Sequence, residues 1–278
     1  MKILITGHKG FIGKAFVRYT RHISEQITFD FADYDSIANA EVQMYIKVMQ
    51  EKPDAIFHFG ACSDTMNTDT SEMMIKNVKT AYFLGDWCAI NKIPLIFSSS
   101  ASIYGNDLTP TSLYSWSKYV AEKYIVKCGG IALRYFNVYG YDESHKGAMA
   151  SMAYQAYLKK IIGEPIALLP KQPRRDFVYI KDVVSANLHA FDNYETLKGM
   201  AYEVGTAKSH TFEEVMELME VPYTYLDASK IPSHYQFNTE ALDIKFMNGW
   251  SPKWSLDKGI MDYRGILDAL PIPALTKF

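Results

Sequence analysis

A chain of 278 residues, 48% hydrophobic and 22% charged, is long enough for a large core, built as one two-layered unit or two closely joined domains. Its formal net charge of −2, with no run of like charges and no polybasic tail, argues against nucleic acid or an anionic membrane as a partner. Cys62, Cys88 and Cys128 lack metal-ligand spacing and suit a reducing compartment, no apolar window nears the ~18–20 residues of a membrane span, and MKILITG runs straight into a glycine loop, so the expectation is a cytoplasmic protein without signal peptide or metal.

In chain order, the first signal is a short β-rich run over 2–6, followed by helical apolar spacing over 11–21 at Phe11, Ala15, Phe16 and Tyr19. A second strand is predicted over 27–31, then a helix over 42–51 that stops at Lys52-Pro53. A third strand over 55–59 precedes a long helix over 71–91, a fourth strand over 94–98, a helix over 115–127 and a fifth strand over 131–135. Continuous apolar strands separated by helices describe a parallel sheet covered on both faces. Beyond Gly140 the pattern is irregular, with helices over 148–162, 182–191, 212–219, 239–246 and 256–270 and short strands over 166–168, 177–180 and 201–204. The expected fold is α/β, a Rossmann-type doubly wound parallel sheet with a smaller, mixed α/β C-terminal substrate domain. The dinucleotide-binding domain is assigned to 1–140 plus about 176–206, and the substrate domain to about 141–175 plus 207–278.

The loop ITGHKGFIG places Gly7, Gly10 and Gly13 between the first strand and the first helix. Gly7 permits the tight turn, Gly10 lets the backbone approach a pyrophosphate, and Gly13 lets the helix lie close on the sheet. The helix start at Phe11 and Ile12 then offers N–H groups and a positive dipole end to phosphates. Asp30, ending the second strand, can accept the ribose hydroxyls, which favours NAD. Asp33 and Asp35 compete for that role and Lys9 could face a 2′-phosphate, so NAD and NADP both stay open.

The stretch SSSASIYGNDLTPTSLYSWSK, from Ser98 to Lys118, acquires its meaning from that loop. A serine at the carboxyl end of the fourth strand can hydrogen-bond a sugar hydroxyl, and Tyr114 can take its proton during transfer to a nicotinamide. A free tyrosine, with its pKa near ~10, is a poor base at neutral pH. Lys118, one helical turn later on the same face, would lower it.

Together these motifs resemble the extended short-chain dehydrogenase/reductase family of nucleotide-sugar epimerases, dehydratases and reductases, over nearly the whole chain. The resemblance implies that Ser100, Tyr114 and Lys118 are catalytic, with Ser100 also touching substrate. It further implies that Phe59, Gly60 and Ala61, following His58, lie beside the cofactor, and that Asn77 of IKNV is a structural and cofactor-contacting residue. His58 itself reads as a core histidine. The segments FHFGACSDT, RYFNVYGYDESHKGAMAS, RRDFVYIKDV and HYQFNTEALD are similar to the branch that epimerises ADP-glyceromanno-heptose at C6.

That similarity implies Lys146 as a second proton-transfer residue, with Asn137 and Val138 flanking substrate phosphate and nicotinamide. It also implies Arg175 on the nucleotide diphosphate, Tyr235 on the diphosphate or sugar, and a tightly bound NAD or NADP that is not consumed. A homo-oligomer, dimer or higher, through helices 71–91 and 115–127 is implied as well. Several positions depart from the branch. The connection from Ser100 to Tyr114 is short, which suggests a more open site; Ala148 replaces a serine, Gln155 a histidine, and LLPKQP a glycine-containing sugar-binding loop. A different nucleotide-sugar epimerase or keto-reductase, similar to GDP-fucose synthase, and a non-catalytic dinucleotide-binding sensor are the alternatives. A 4,6-dehydratase is set aside because Ala101 and Ser102 stand where that subfamily has an Asp-Glu pair.

Overall fold

The structure, a computed structural model, describes residues 1–105, 109–232 and 235–271. Part of the short Ser100–Tyr114 connection, at 106–108, and His234 of the HYQ segment lie outside the described residues. The elements run Lys2–Thr6 (β1), Phe11–Thr20 (α1), Glu25–Phe29 (β2), Ile37–Glu51 (α2), Ala55–His58 (β3), Thr70–Met73 (α3), a π turn over Met74–Lys79, Thr80–Asn91 (α4), Leu95–Ser100 (β4), Leu113–Lys127 (α5) and Ile131–Tyr135 (β5). They continue with Asn137–Tyr139 (β6), Met152–Ile162 (α6), Ile166–Leu168 (β7), Arg174–Tyr179 (β8), Ile180–Asp192 (α7), Tyr194–Leu197 (α8) and Ala201–Val204 (β9). The last are Ser209–Thr211 (β10), Phe212–Met219 (α9), Tyr223–Tyr225 (β11), Asn238–Thr239 (β12) and Leu256–Asp268 (α10).

Two compact units result, the first from Met1–Arg134 and Val184–Tyr202, the second from Tyr135–Val183 and Glu203–Phe278. The first is built on a sheet of order β2-β1-β3-β4-β5-β9, with β1 parallel to both β2 and β3, and β3 parallel to β4. Strand order reverses between β1 and β3, and that reversal leaves a crevice beyond their carboxyl ends, where open α/β sheets bind ligands. Leu4, Phe29, Ile56, Leu95 and Phe97 from the strands bury against Met44 and Val48 of α2, Leu84 of α4 and Ile125 of α5. Each such side chain contributes about 1.5–3 kcal/mol relative to exposure.

Capping explains where the helices start. Ser36 accepts the Asn39 N–H at 3.2 Å, so α2 begins upstream of the apolar run that predicts it. Ser112 and Ser115 form a reciprocal capping box, which brings Tyr114 into the first turn of α5. The long helix expected over 71–91 is interrupted by the π turn, whose extra residue accompanies the inward hydrogen bonds of Asn77 described below.

In the second unit β8 is central, antiparallel to β10 and parallel to β6 and β12, while β7 and β11 pair in parallel. Because β6 pairs with β8, residues 135–140 and 176–183 group with the second unit, whereas the sequence pattern assigns them to the first. Buried Asp176 accepts N–H groups of Thr206, Ala207 and Ala241 and the Thr206 hydroxyl, drawing 205–207 and 241 onto the same strand. The helix expected over 239–246 does not form. Asp176 takes the Ala241 N–H and Glu203 the Leu242 N–H, and the chain makes only a 3-10 turn over Asp243–Lys245. Likewise the helix expected over 148–162 starts at Met152, capped by Ser151. Ahead of it Ser144–Met149 is a 3-10 segment broken at Gly147, whose φ of 52° is a left-handed conformation.

Candidate active site

The glycine loop packs backbone to backbone. Gly7 has φ 70°, and a Cβ there would stand 2.5 Å from the Gly60 nitrogen, so both the turn and the neighbouring β3 end demand glycine. A Cβ on Gly13 would drive into the Gly7 carbonyl. Gly10 opens α1 without a side-chain cap, leaving Phe11 and Ile12 in a first turn that presents a positive dipole end. His8 Nδ1, inside the loop, is buried with no hydrogen-bond partner among the described residues. An uncapped helix start, a cradle no side chain can enter and a buried polar atom awaiting a partner together fit a dinucleotide pyrophosphate.

At the end of β2, Asp30 accepts the Lys9 N–H at 3.1 Å and the Ala32 N–H at 3.0 Å, which holds its carboxylate against the glycine loop. The Lys9 ammonium pairs with Asp33, and Asp33 also accepts the Asp30 N–H at 3.1 Å. The amine and carboxylate that could compete for the ribose are thus engaged with each other. Asp35 instead accepts a bond from Asn39 at 2.9 Å.

Beside that loop, Phe59, Gly60 and Ala61 extend from β3. The Phe59 N–H donates to the Thr6 carbonyl at 3.2 Å and the Gly60 N–H to Thr6 Oγ1 at 3.0 Å. The Thr6 hydroxyl also shares a hydrogen bond with His58 Nδ1 at 2.6 Å. Burial, aided by the Lys118 charge, lowers the His58 pKa to about 3, so His58 is a neutral core histidine. Asn77 is buried and locks the segment after Ala61: its Oδ1 accepts the Cys62 N–H at 2.8 Å, and its Nδ2 donates to the Cys62 carbonyl and to Ser117 Oγ of α5.

Ser100 and Tyr114 meet at the end of β4, and Lys118 bonds the same strand two residues earlier, at Ser98. Ser100 accepts the Ser102 N–H at 3.2 Å and hydrogen-bonds the hydroxyl of half-buried Tyr114. Burial pushes the phenol above its usual range, and the bond to Ser100 opposes that. Lys118 is 3% exposed, donates to the Ser98 carbonyl at 2.7 Å and lies 4.8 Å over the Phe97 ring; burial lowers it to about 7. Behind the strand, Glu122 accepts two guanidinium bonds from Arg134 and one from the Ser99 hydroxyl. Sequence reasoning missed this pair, although an acid four residues after Lys118 on the same helix was visible.

The second unit carries the remaining candidates. Arg175 lies 5.1 Å from the Tyr235 ring centre and 5.7 Å from that of Phe212, donating to the carbonyls of Arg174 and Phe237. Among the described residues no carboxylate pairs with it, and burial lowers its pKa, with Tyr235 opposing. Asn137 is exposed and Val138 half-buried on β6. Lys146, on the 3-10 segment, is half-buried. Burial lowers its pKa while the charge of Glu143, a residue the sequence reading passed over, raises it. Gln155 donates to the carbonyls of Ala148 at 3.2 Å and Ala150 at 2.7 Å, holding the loop that bears Lys146.

Among the described residues no group of three or more His, Cys, Asp or Glu could hold a metal ion, and no helix is long and apolar enough to cross a membrane.

Comparison with known proteins agrees with this geometry. The sequence model of the NAD dependent epimerase/dehydratase family matches residues 3–205. An ADP-L-glycero-D-manno-heptose-6-epimerase of Brachyspira hyodysenteriae is 31% identical, with 96% of this chain and 98% of the relative covered. Among solved structures, the ADP-L-glycero-D-manno-heptose-6-epimerase of Helicobacter pylori superposes with a TM-score of 0.83 at 24% identity, covering 97% of this chain and 96% of that one. The UDP-glucose 4-epimerase of Thermus thermophilus in complex with NAD gives 0.75 at 23% identity, covering 95% and 99%. The last two likenesses concern the fold.

Proposed function

Since the chain belongs to the NAD dependent epimerase/dehydratase family, we infer that it inverts one carbon of a nucleotide-diphosphate sugar, C6 of ADP-glyceromanno-heptose. The observation that carries this reading is Lys146. An ordinary loop lysine is solvated, whereas this one is half-buried on a structured turn beside a buried carboxylate.

Bound at the glycine loop, the oxidised nicotinamide supplies a positive charge and a reversible two-electron acceptor for a sugar C–H bond. Gly7, Gly10, Phe11, Ile12 and Gly13 would hold its pyrophosphate and Asp30 the ribose, with Phe59, Gly60, Ala61, Asn77 and Val138 available to the rest. Asp30 at the ribose, with Lys9 neutralised by Asp33, supports NAD over NADP. In one direction Tyr114 Oη accepts the proton of the sugar hydroxyl as the carbonyl forms. Lys146 Nζ returns a proton to the carbonyl oxygen when the carbon is reduced on its opposite face; the reverse direction exchanges the roles. Ser100 orients the hydroxyl and Tyr114, and Lys118 stabilises the phenolate. Arg175, stacked by Tyr235, binds the diphosphate through its guanidinium fork, with Asn137 beside it. Ile90 of α4 and Trp116 and Tyr119 of α5 are exposed, which supports a homo-oligomer through these helices, measurable by sedimentation.

Incubation with ADP-D-glycero-manno-heptose and no added reductant, followed by chromatographic separation of the C6 epimers, tests the reading. An equilibrium mixture is expected from the native chain, with turnover cut about 10²–10⁴-fold in Tyr114→Phe and Lys146→Met. Absence of conversion by protein carrying a dinucleotide would refute the substrate. Gln155 favours one second reading, a different nucleotide sugar. The branch has a histidine there, and here the amide is spent on two loop carbonyls. Conversion of GDP-, UDP- or dTDP-sugars in the same assay would establish it.

A further inference from the structure

We propose that Glu143 is the positioning residue for Lys146: its two oxygens tie together both ends of the loop 141–150, and its buried negative charge holds the lysine that this loop carries in the cationic form. The proposal rests on the reading of Lys146 as an acid/base group and adds to it the residue that sets its protonation.

The geometry is a closed clamp. Glu143 is 1% exposed. Its Oε1 accepts the Gly140 N–H at 3.1 Å, at the front of the loop, and the Ser151 hydroxyl at 2.7 Å, at the back. Its Oε2 accepts the Ser151 N–H at 2.6 Å, and the Tyr263 hydroxyl of α10 reaches Oε1 at 3.4 Å. Four donors converge on two oxygens, an arrangement that suits an ionised carboxylate, which only accepts. A protonated acid would turn a donor of its own toward one of them.

Within this loop Gly147 takes a left-handed turn, with open space where a Cβ would stand, and Gln155 pins the carbonyls of Ala148 and Ala150. The segment is therefore held at both ends and in the middle, so Lys146 projects from a fixed base.

The charged and titratable groups facing Glu143 are Lys146 on its own segment, Tyr154 on α6 and Tyr263 on α10. Both tyrosines are pushed above their usual range and stay neutral near neutral pH, which leaves Lys146, among the described residues, as the charge that answers the carboxylate. Burial works against the ionised form of each partner, and each partner's charge works for the other. Remove the carboxylate charge, and burial alone acts on the lysine.

The test is competitive acetylation of the purified protein with acetic anhydride across the neutral to alkaline range, with Lys146 quantified by mass spectrometry. In Glu143→Gln the midpoint of Lys146 labelling falls, and well below the native midpoint its reactivity rises about tenfold for a fall of one pH unit. The low-pH limb of epimerisation moves the same way. A labelling curve unmoved in folded Glu143→Gln overturns the proposal and leaves Glu143 a loop clamp only. Lys146→Met gives a reciprocal measurement that does not depend on Glu143→Gln folding. By linkage, the protonated-carboxyl infrared band must emerge at higher pH than in the native protein, and its failure to do so overturns the proposal equally. Full epimerase activity in Lys146→Met would sink the acid/base assignment instead, while the labelling shift would still report the coupling.

Discussion

Replacing Lys118 with methionine should abolish turnover and yet stabilise the protein near neutral pH. Lys118 is 3% exposed, its ammonium donates to the Ser98 carbonyl at 2.7 Å, and burial brings its pKa from the ordinary 10.5 to about 7. In the unfolded chain the same amine is protonated up to its ordinary value. At ~1.36 kcal/mol per pH unit, that gap penalises the fold by about 4 kcal/mol at neutral pH. Between about 7 and 10.5 the unfolded chain binds a proton that the folded chain does not, so native stability rises with pH across that window; below it both states are protonated and the penalty is constant. Methionine is of similar length and carries no charge, but it leaves the Ser98 carbonyl without this donor, a loss of about 1 kcal/mol. The variant should therefore exceed the native protein by about 3 kcal/mol near neutral pH and by only about 1 kcal/mol some two pH units higher. Urea denaturation of both proteins at the two pH values, followed by tryptophan fluorescence, measures this. A variant less stable by the same margin at both values would refute the reasoning, because the ammonium would then be comfortably accommodated where it lies.

Other expectations follow from single contacts. Gly13→Ala forces a Cβ into the Gly7 carbonyl, so calorimetry should register loss of NAD binding together with about 1–3 kcal/mol or more of stability. Asp33→Ser releases the Lys9 ammonium from its partner, and the ratio of NADP to NAD affinity measured by fluorescence titration should rise about tenfold. Arg175→Lys keeps the charge and loses the planar fork stacked on Tyr235, so KM for the nucleotide sugar should rise while kcat changes little. Arg134→Met leaves buried Glu122 without its guanidinium and should cost about 3–5 kcal/mol, read as a lowered urea midpoint.

What could be read from the chain was what local chemistry dictates. The run at 2–6 and the apolar strand at 131–135 are short, continuous and mostly buried, and the structure reproduces both spans. The meeting of Ser100 with Tyr114 was legible because strand end and helix face follow from periods of two and 3.6 residues. Residues 239–246 were misread because helical spacing there is overruled by Asp176 and Glu203, acids far away in sequence that capture the backbone donors. Glu143 escaped notice for a similar reason. Three residues before Lys146 it resembles any surface acid, and only the return of Ser151 and Tyr263 onto its oxygens makes it a buried charge.

Lys118 and Lys146 start from the same chemistry and are pushed apart by their surroundings. Both are lowered by burial, but Lys118 meets a neutral carbonyl and the face of Phe97, whereas Lys146 meets the buried carboxylate of Glu143, on which four donors converge. At Lys118 burial is the cause of the shift, and it brings the pKa down to about 7. At Lys146 the charge of Glu143 opposes burial, so the lowering is partly offset. On the proposed reading one lysine tunes a neighbouring phenol and the other transfers a proton itself. Environments that separate like groups in this way are how one fold assigns an orienting residue and an acid without changing the amino acid.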